Sequence, residues 1–452
     1  MRSLIAALVA VALGGAGAQP GRAAPADPPP VSTRLDLAGL PANTWVEISQ
    51  AQKPEAAFCS AWYLPASDEF LLWGKLGGHR EESKRYEAQV LKLGDQAPEW
   101  QEAFPPGKEA AWANGRFPNW GCGCHRLGYQ PERPWLESAA DRWIGGSAEI
   151  NRVTFVETDG VVRPTRAYTH HQAAYDSKRG RLVYYVGGKT FAYDPQKRSW
   201  ADLQAQPPLA CEALAWASMA YDPVGDQIVL FGGAYALNPW GGARTWLFDC
   251  AKNEWRRAPV RGGIEPPLRC CTQLAYDSRN RRMVLFGGDA LDRFLADTWV
   301  LDPATLTWAE RKPEKSPPPL DHAAACFIER HGLVLLVSPP KRGDKRSADA
   351  WAYDTARNVW TPLALRLPDK PMEWVSCAYS ARHEAAVLVA PGVGTWVCRL
   401  DPATASDPKA EAEMAPPGSW TWNTRAIGQT RSILDAPPPD RAATAKRLQE
   451  LP

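Results

Sequence analysis

Residues 283–308 read MVLFGGDALDRFLADTWVLDPATLTW, an apolar strand-like run that ends in a Gly-Gly pair. Trp299 follows Gly287 by twelve residues, then a Leu-Asp-Pro turn, and Trp308 stands nine residues after Trp299. A glycine pair after a strand invites comparison with a phosphate-binding loop. Yet the stretch lacks G-x-G-x-x-G spacing, and no helical pattern follows it. The other reading is one unit of a repeat.

Further copies decide for the repeat. Residues 228–255 read IVLFGGAYALNPWGGARTWLFDCAKNEW, again with two Trp nine apart, Trp246 and Trp255. Residues 183–200 read VYYVGGKTFAYDPQKRSW, with Phe191 in the first aromatic slot and Trp200 in the second. Residues 351–360, WAYDTARNVW, carry the pair after the run Leu333–Val337, which ends in Ser-Pro-Pro. The late Trp and the next Gly-Gly are 32 residues apart in two successive units (232 − 200 and 287 − 255). An Ala-Tyr-Asp precedes three Gly-Gly pairs, at 174–176, 220–222 and 275–277. Gly-Gly spacings of 45 and 55 residues (232 − 187 and 287 − 232) place the period near that of a four-stranded propeller blade.

On these Gly-Gly pairs, Trp pairs and AYD segments the chain resembles the kelch-repeat β-propeller family, within the galactose-oxidase-like central-domain superfamily. The resemblance spans residues 43–402 and implies an all-β, kelch-type propeller of four-stranded blades. Six blades are clear, and 101–162 is either an insertion or a degenerate seventh. The last unit, 385–402, has Trp396 but no partner nine residues on. NTWVEIS (43–49) resembles NEWRRAP (253–259) and supplies the missing strand, so the N-terminal strand is expected to close the ring. A rival closure would use SWTW (419–422). Residues 403–452 lose the repeat and read as an extension, partly helical or disordered.

The 452 residues include 42 Pro, 35 Gly and 21 Trp, a composition that favours turns and short strands over long helices. The net charge is +2 with Lys and Arg scattered, which argues against a nucleic-acid partner. Met1-Arg2-Ser3, the apolar run Leu4–Leu13 and Ala16-Gly17-Ala18 have the layout of a signal peptide over 1–18. A Pro/Ala-rich spacer fills 19–42. No segment reads as membrane-spanning, so a secreted or periplasmic monomer is expected, and export would let some of the ten cysteines pair as disulfides.

Propellers carry function at the mouths of the central channel. Five residues before the aromatic of each AYD-type strand stand Phe58, His170, Trp216, Cys271, His322 and Trp374, with Asp321 one step earlier in its unit. His170, Trp216, Cys271, Asp321, His322 and Trp374 are therefore the candidate ligand contacts, by stacking and polar contact. Trp216, Trp240 and Trp374 fall outside the Trp-pair pattern. Cys122, Cys124 and His125, in GCGCHR, have metal-ligand chemistry, although C-x-C-H is one residue short of a haem site and no second half of a zinc site is evident. Disulfides pinning that loop are the alternative. The Asp of each Leu-Asp-Pro reads as a turn former.

Within the kelch resemblance, a galactose-oxidase-like copper site would require two histidines, two tyrosines and a Tyr-Cys crosslink. These do not match residue by residue, so no cofactor is assigned. Exported bacterial sialic-acid mutarotases share the repeat but offer no motif to transfer. The expectation is a propeller that binds a protein or a glycan at one face. The alternative is a carbohydrate-active enzyme (oxidase, epimerase or lyase) working around His170 and His322.

Overall fold

The computed structural model describes residues 36–49, 56–76, 89–95, 98–103, 154–158, 161–166, 172–186, 189–205, 217–233, 245–267, 269–290, 293–320, 322–338, 349–367, 372, 375–390, 393–411 and 414–422. Chain order begins with β1 (Val46–Ser49). Blade 1 is β2 (Ala56–Leu64), β3 (Glu69–Leu76), β4 (Gln89–Leu91) and β5 (Gln101–Glu102). A hairpin follows, β6 (Thr154–Thr158) and β7 (Val161–Arg166). Blade 2 is β8 (Ala173–Asp176), β9 (Arg181–Val186), β10 (Lys189–Asp194) and β11 (Ser199–Asp202). Blade 3 is β12 (Ala217–Asp222), β13 (Gln227–Gly232), β14 (Thr245–Asp249) and β15 (Glu254–Arg257). Blade 4 is β16 (Leu274–Asp277), β17 (Arg282–Asp289), β18 (Arg293–Asp302) and β19 (Thr307–Arg311). Blade 5 is β20 (Ala324–Ile328), β21 (Leu333–Val337), β22 (Ala350–Asp354) and β23 (Val359–Leu363). Blade 6 is β24 (Ser376–Ser380), β25 (Ala385–Ala390) and β26 (Gly394–Cys398), completed by β1.

The AYD-type strands are innermost and adjoin in the ring β2, β8, β12, β16, β20, β24 and back to β2. The propeller therefore has six blades. Blades 1 and 2 are direct neighbours, and the β6–β7 hairpin packs against β3 and β11 rather than entering the ring. Closure uses the N-terminal strand: Val46 pairs with Val397 and Glu47 with Trp396, antiparallel. The rival segment goes elsewhere, because β27 (Trp420–Trp422) pairs with the projecting end of β18, Trp420 opposite Leu295. Between closure and that strand, Ala405 is fully buried, and Ser316 and Ala415 exchange backbone hydrogen bonds of 2.8 Å.

The repeat residues do identifiable work. AYD aspartates cap the inner hairpin turns: Asp176 accepts from the Arg179 N–H, Asp222 from Val224, and Asp277 from Arg279 and Asn280. Asp194, Asp249, Asp302, Asp354 and Asp401 do the same for outer turns, as turn chemistry requires. The Gly-Gly pairs take left-handed backbone, φ 78° and 106° at Gly232 and Gly233, and 59° and 109° at Gly287 and Gly288. A Cβ on Gly232 would lie 2.7 Å from the Arg269 carbonyl oxygen, so both conformation and space demand glycine there.

In four of the six blades the late Trp ties the blade to the one before, whereas Trp200 Nε1 in blade 2 has no hydrogen-bond partner among the described residues. Trp255 Nε1 donates to Thr190 Oγ1 (2.8 Å), Trp308 to Thr245 (2.8 Å), Trp360 to Thr298 (2.9 Å) and Trp100 to Thr395 (2.7 Å). Each such Thr occupies one register position, opposite Tyr185, Phe231, Phe286 and Val389 in turn. In blade 5 that position is Ala350, opposite Val337, and Trp45 beside it has a buried Nε1 with no hydrogen-bond partner among the described residues. The bond from Trp100 in blade 1 to Thr395 in blade 6 is the ring-closing member of the series. On the other side of that joint, His383 Nε2 lies 2.9 Å from Asp68 Oδ1.

Cysteine chemistry corrects one expectation. Cys250, Cys270, Cys271, Cys326, Cys377 and Cys398 are all buried thiols, with Cys326 and Cys377 packed Sγ to Sγ at 3.4 Å across blades 5 and 6. They behave as small apolar core residues, and the disulfides foreseen from export are not made by them. Cys122 and Cys124 lie outside the described residues.

Candidate functional site

The channel has two unlike mouths. At one, every inner hairpin turn has four residues, 65–68, 177–180, 223–226, 278–281, 329–332 and 381–384, and the last of each is left-handed (φ 51–69°). At the other, the connections between the second and third strands run from two residues (187–188) to twelve (233–244). The crossovers between blades join the same face.

The candidate ligand contacts read from the sequence precede the inner strands of their blades. His170, Trp216, Asp321 and Trp374 lie outside the described residues, as do Cys122, Cys124 and His125. Cys271 and His322 are described, and they are neighbours: the His322 N–H donates to the Cys271 carbonyl oxygen at 2.9 Å. Both have left-handed backbone, φ 58° and 53°. Two equivalent positions in adjacent blades thus sit side by side around the channel, each at a strained entry to its inner strand. The Cys271 thiol is buried and donates to Cys270 Sγ at 3.3 Å. That bond and complete burial push the Cys270 thiol well above its ordinary pKa, so Cys270 stays a thiol and has no nucleophilic character. Among the described residues no group of three or more His, Cys, Asp or Glu could hold a metal ion.

Beside this pair stands a feature the sequence did not announce. Arg269, fully buried in the crossover into blade 4, donates to both carboxylate oxygens of Asp297 (2.5 and 2.7 Å) and to the Gly287 carbonyl (3.0 Å). Trp299 Nε1 adds a bond to Asp297 Oδ2 at 2.7 Å. This bidentate pair locks the crossover onto the bulged Gly-Gly end of β17. Arg269 does not recur from unit to unit, although Asp297 has a counterpart in Asp349 of blade 5, so period-based reading passed over the pair.

The tight-turn mouth holds a cavity of about 290 Å3, lined among others by Trp62, Tyr175, Tyr221, Gln273, Tyr276 and Glu329. The tyrosines are one register position of successive inner strands. Their hydroxyls are engaged by turns: Ala66 N–H donates to the Tyr175 hydroxyl (3.3 Å), and Tyr221 donates to Asp226 Oδ1 (3.0 Å). Burial, reinforced by the carboxylate of Asp222, pushes Tyr276 up to about 12, and burial likewise raises Tyr175 and Tyr221. They remain neutral phenols that offer ring surface. Trp62 fills the register place that Ala174, Ala220 and Ala275 take in the next three blades, and its Nε1 donates to the Ala173 carbonyl (3.1 Å). That departure from the repeat was the available signal for this mouth.

Residues 169–390 match the KLHDC2/KLHL20/DRC7 Kelch-repeats domain. They form a kelch-repeat domain. Similarity to curated proteins is local. One stretch of 108 residues, 23% of this chain, is 34% identical to Dynein regulatory complex subunit 7 of Chlamydomonas reinhardtii and covers 9% of it. Another, of 174 residues and 34% of this chain, is 24% identical to Mei4-dependent protein 6 of Schizosaccharomyces pombe and covers 23% of it. The matched part therefore spans under a quarter of either relative, and what those proteins do as wholes does not pass to this chain with the fold. The kelch match covers blades 2 to 5 and the two inner strands of blade 6; β26, blade 1 and the N-terminal closing strand lie outside it.

Proposed function

We propose that this kelch propeller is a binding module whose partner, a protein, docks on the long-loop face. The observation that carries this reading is the contrast between the two faces. A rigid ring of six stitched blades presents uniform four-residue turns on one side and connections of widely different length on the other. Variable loops on a fixed scaffold are how a fold shapes a surface for one partner without disturbing its core. The similarity to a protein named as a subunit of a regulatory complex supports a protein over a glycan as ligand. Export to the periplasm or exterior belongs to the same reading and rests on residues 1–18 of the sequence. Among the described residues no helix is long and apolar enough to cross a membrane.

The test is affinity purification of the tagged full chain from its own source, with Trp216→Ala and Trp374→Ala variants in parallel and a glycan array on the purified protein. A partner protein recovered with the parent chain and lost with either variant is expected. Retention of that partner by both variants, or specific glycan binding without a protein partner, would overturn the assignment.

A further inference from the structure

The cavity at the tight-turn mouth lies at the opposite end of the channel from the proposed docking face, and its lining has a chemistry of its own. Four aromatic rings, Trp62, Tyr175, Tyr221 and Tyr276, border one space of about 290 Å3, at the small end of the range for ligand sites. The polar atoms of three are occupied: the Trp62 indole N–H by the Ala173 carbonyl, the Tyr175 hydroxyl by the Ala66 N–H and the Tyr221 hydroxyl by Asp226. What these rings have left to offer is surface and the negative face of a π system.

The charges around them have a sign. Asp222 and Asp277, at the ends of the strands that carry Tyr221 and Tyr276, are buried and accept from neutral groups, Asp222 also from the Tyr276 hydroxyl of the next blade. Glu329, on the rim, is exposed and makes no ion pair among the described residues. The opposing charges are exposed. Arg279 spends its guanidinium N–H groups on the backbone carbonyls of Glu329, Arg330 and His331, and Arg281 lies in the same turn. Aromatic faces backed by carboxylates attract a compact, weakly hydrated cation and gain little from a neutral group of equal shape.

The geometry points to a binding site for an alkylammonium cation, such as a quaternary ammonium head or a methylated lysine side chain, at the tight-turn mouth. The cation sits among Trp62, Tyr175, Tyr221 and Tyr276, with Glu329 at the rim supplying counter-charge. This site is independent of the partner docking on the long-loop face, and variants in the 216 and 374 loops leave it unchanged.

The experiment is isothermal titration of the purified full chain with choline and with 3,3-dimethylbutan-1-ol, which replaces the charged nitrogen by carbon. Choline is expected to bind at least about tenfold more tightly than its neutral counterpart. Glu329→Gln, at an exposed position, should weaken choline severalfold and leave the neutral compound unchanged. Tyr276→Phe keeps the ring and should keep the binding, whereas Trp62→Leu should abolish it, with circular dichroism showing whether that variant folds. Equal affinity for the two compounds, no binding of choline, binding of a neutral sugar in its place, or choline affinity indifferent to Glu329→Gln would each overturn the assignment.

Discussion

The two faces of the propeller are built from the same strands and obey different rules. On the tight-turn face each inner hairpin closes in four residues, with a left-handed last position and, in three of the six blades, an aspartate holding the turn's N–H groups. Geometry there is dictated by local backbone chemistry, so it repeats. On the long-loop face the same blades are joined by connections from two to twelve residues long, and the fixed points are individual: Arg269 with Asp297 at blade 4, His322 against Cys271 between blades 4 and 5. One face is determined by the repeat and serves the ring. The other has been released from it and is where a partner can be specified.

That contrast can be broken first at its strongest individual contact. Asp297→Ala leaves the buried Arg269 guanidinium without a counter-charge and should cost about 3–5 kcal/mol, read as a lower midpoint in urea. Replacing both residues by apolar ones of similar volume should recover much of the loss. If Asp297→Ala unfolds no earlier than the parent, the long-loop face has no anchor at blade 4.

The tight-turn face offers the next effect. Asp226 accepts from both nitrogens of Arg179 (2.7 and 2.8 Å), from Lys178 (2.9 Å) and from Tyr221 (3.0 Å), joining blades 2 and 3. The Arg179 guanidinium, with help from Lys178 and Tyr221, holds its carboxyl well below the usual carboxylate range. The folded pKa is depressed, so the stabilisation is full above the unfolded value of about 4 and is lost as pH falls below it. Asp226→Asn should cost about 1–2 kcal/mol at pH 7, a partly exposed pair being worth less than a buried one. The gap between variant and parent should narrow steadily below about pH 4. A gap independent of pH would assign the loss to packing instead of charge.

A smaller effect sharpens the account of the joints common to both faces. Thr298→Val removes the acceptor of Trp360 and should cost about 1 kcal/mol. Ala350→Thr would supply Trp45 with the acceptor its counterparts have and should gain up to about 1 kcal/mol in thermal unfolding. Loss of stability in that variant would show that the space beside Trp45 is closed. The smallest expected change is in Trp216→Ala and Trp374→Ala, whose stabilities should stay within about 0.5 kcal/mol of the parent while partner binding falls.

What was legible in the sequence follows the same division. Gly-Gly, AYD and the Trp pairs recur because the blade requires them, and recurrence alone yielded the propeller and its closure by residues 43–49. The Trp–Thr ties were visible in principle, as Thr190, Thr245, Thr298 and Thr395 each precede the early aromatic, while Ala350 stands in that place before Trp351. They passed unnoticed because the bond crosses between blades, where sequence spacing gives no sign of contact. The blade count stayed open at six or seven because 101–162 has no period to read. The Arg269–Asp297 pair was invisible for the opposite reason from the repeats: Arg269 occurs once, 28 residues from its partner. The tight-turn cavity was overlooked because its tyrosines look like repeat furniture, and only Trp62 in an alanine's place breaks the pattern.

The most direct test of the central claim is site-specific photo-crosslinking in the organism's own cells. A photoreactive residue is placed in turn at 216 and 374, in the crossovers that lead into β12 and β24, and at 197 and 357 in tight turns of the opposite face. One protein, the same from both loop positions, is expected to be captured from 216 and 374 and not from 197 or 357. Capture of that partner from 197 and 357, with none from the loops, would contradict it.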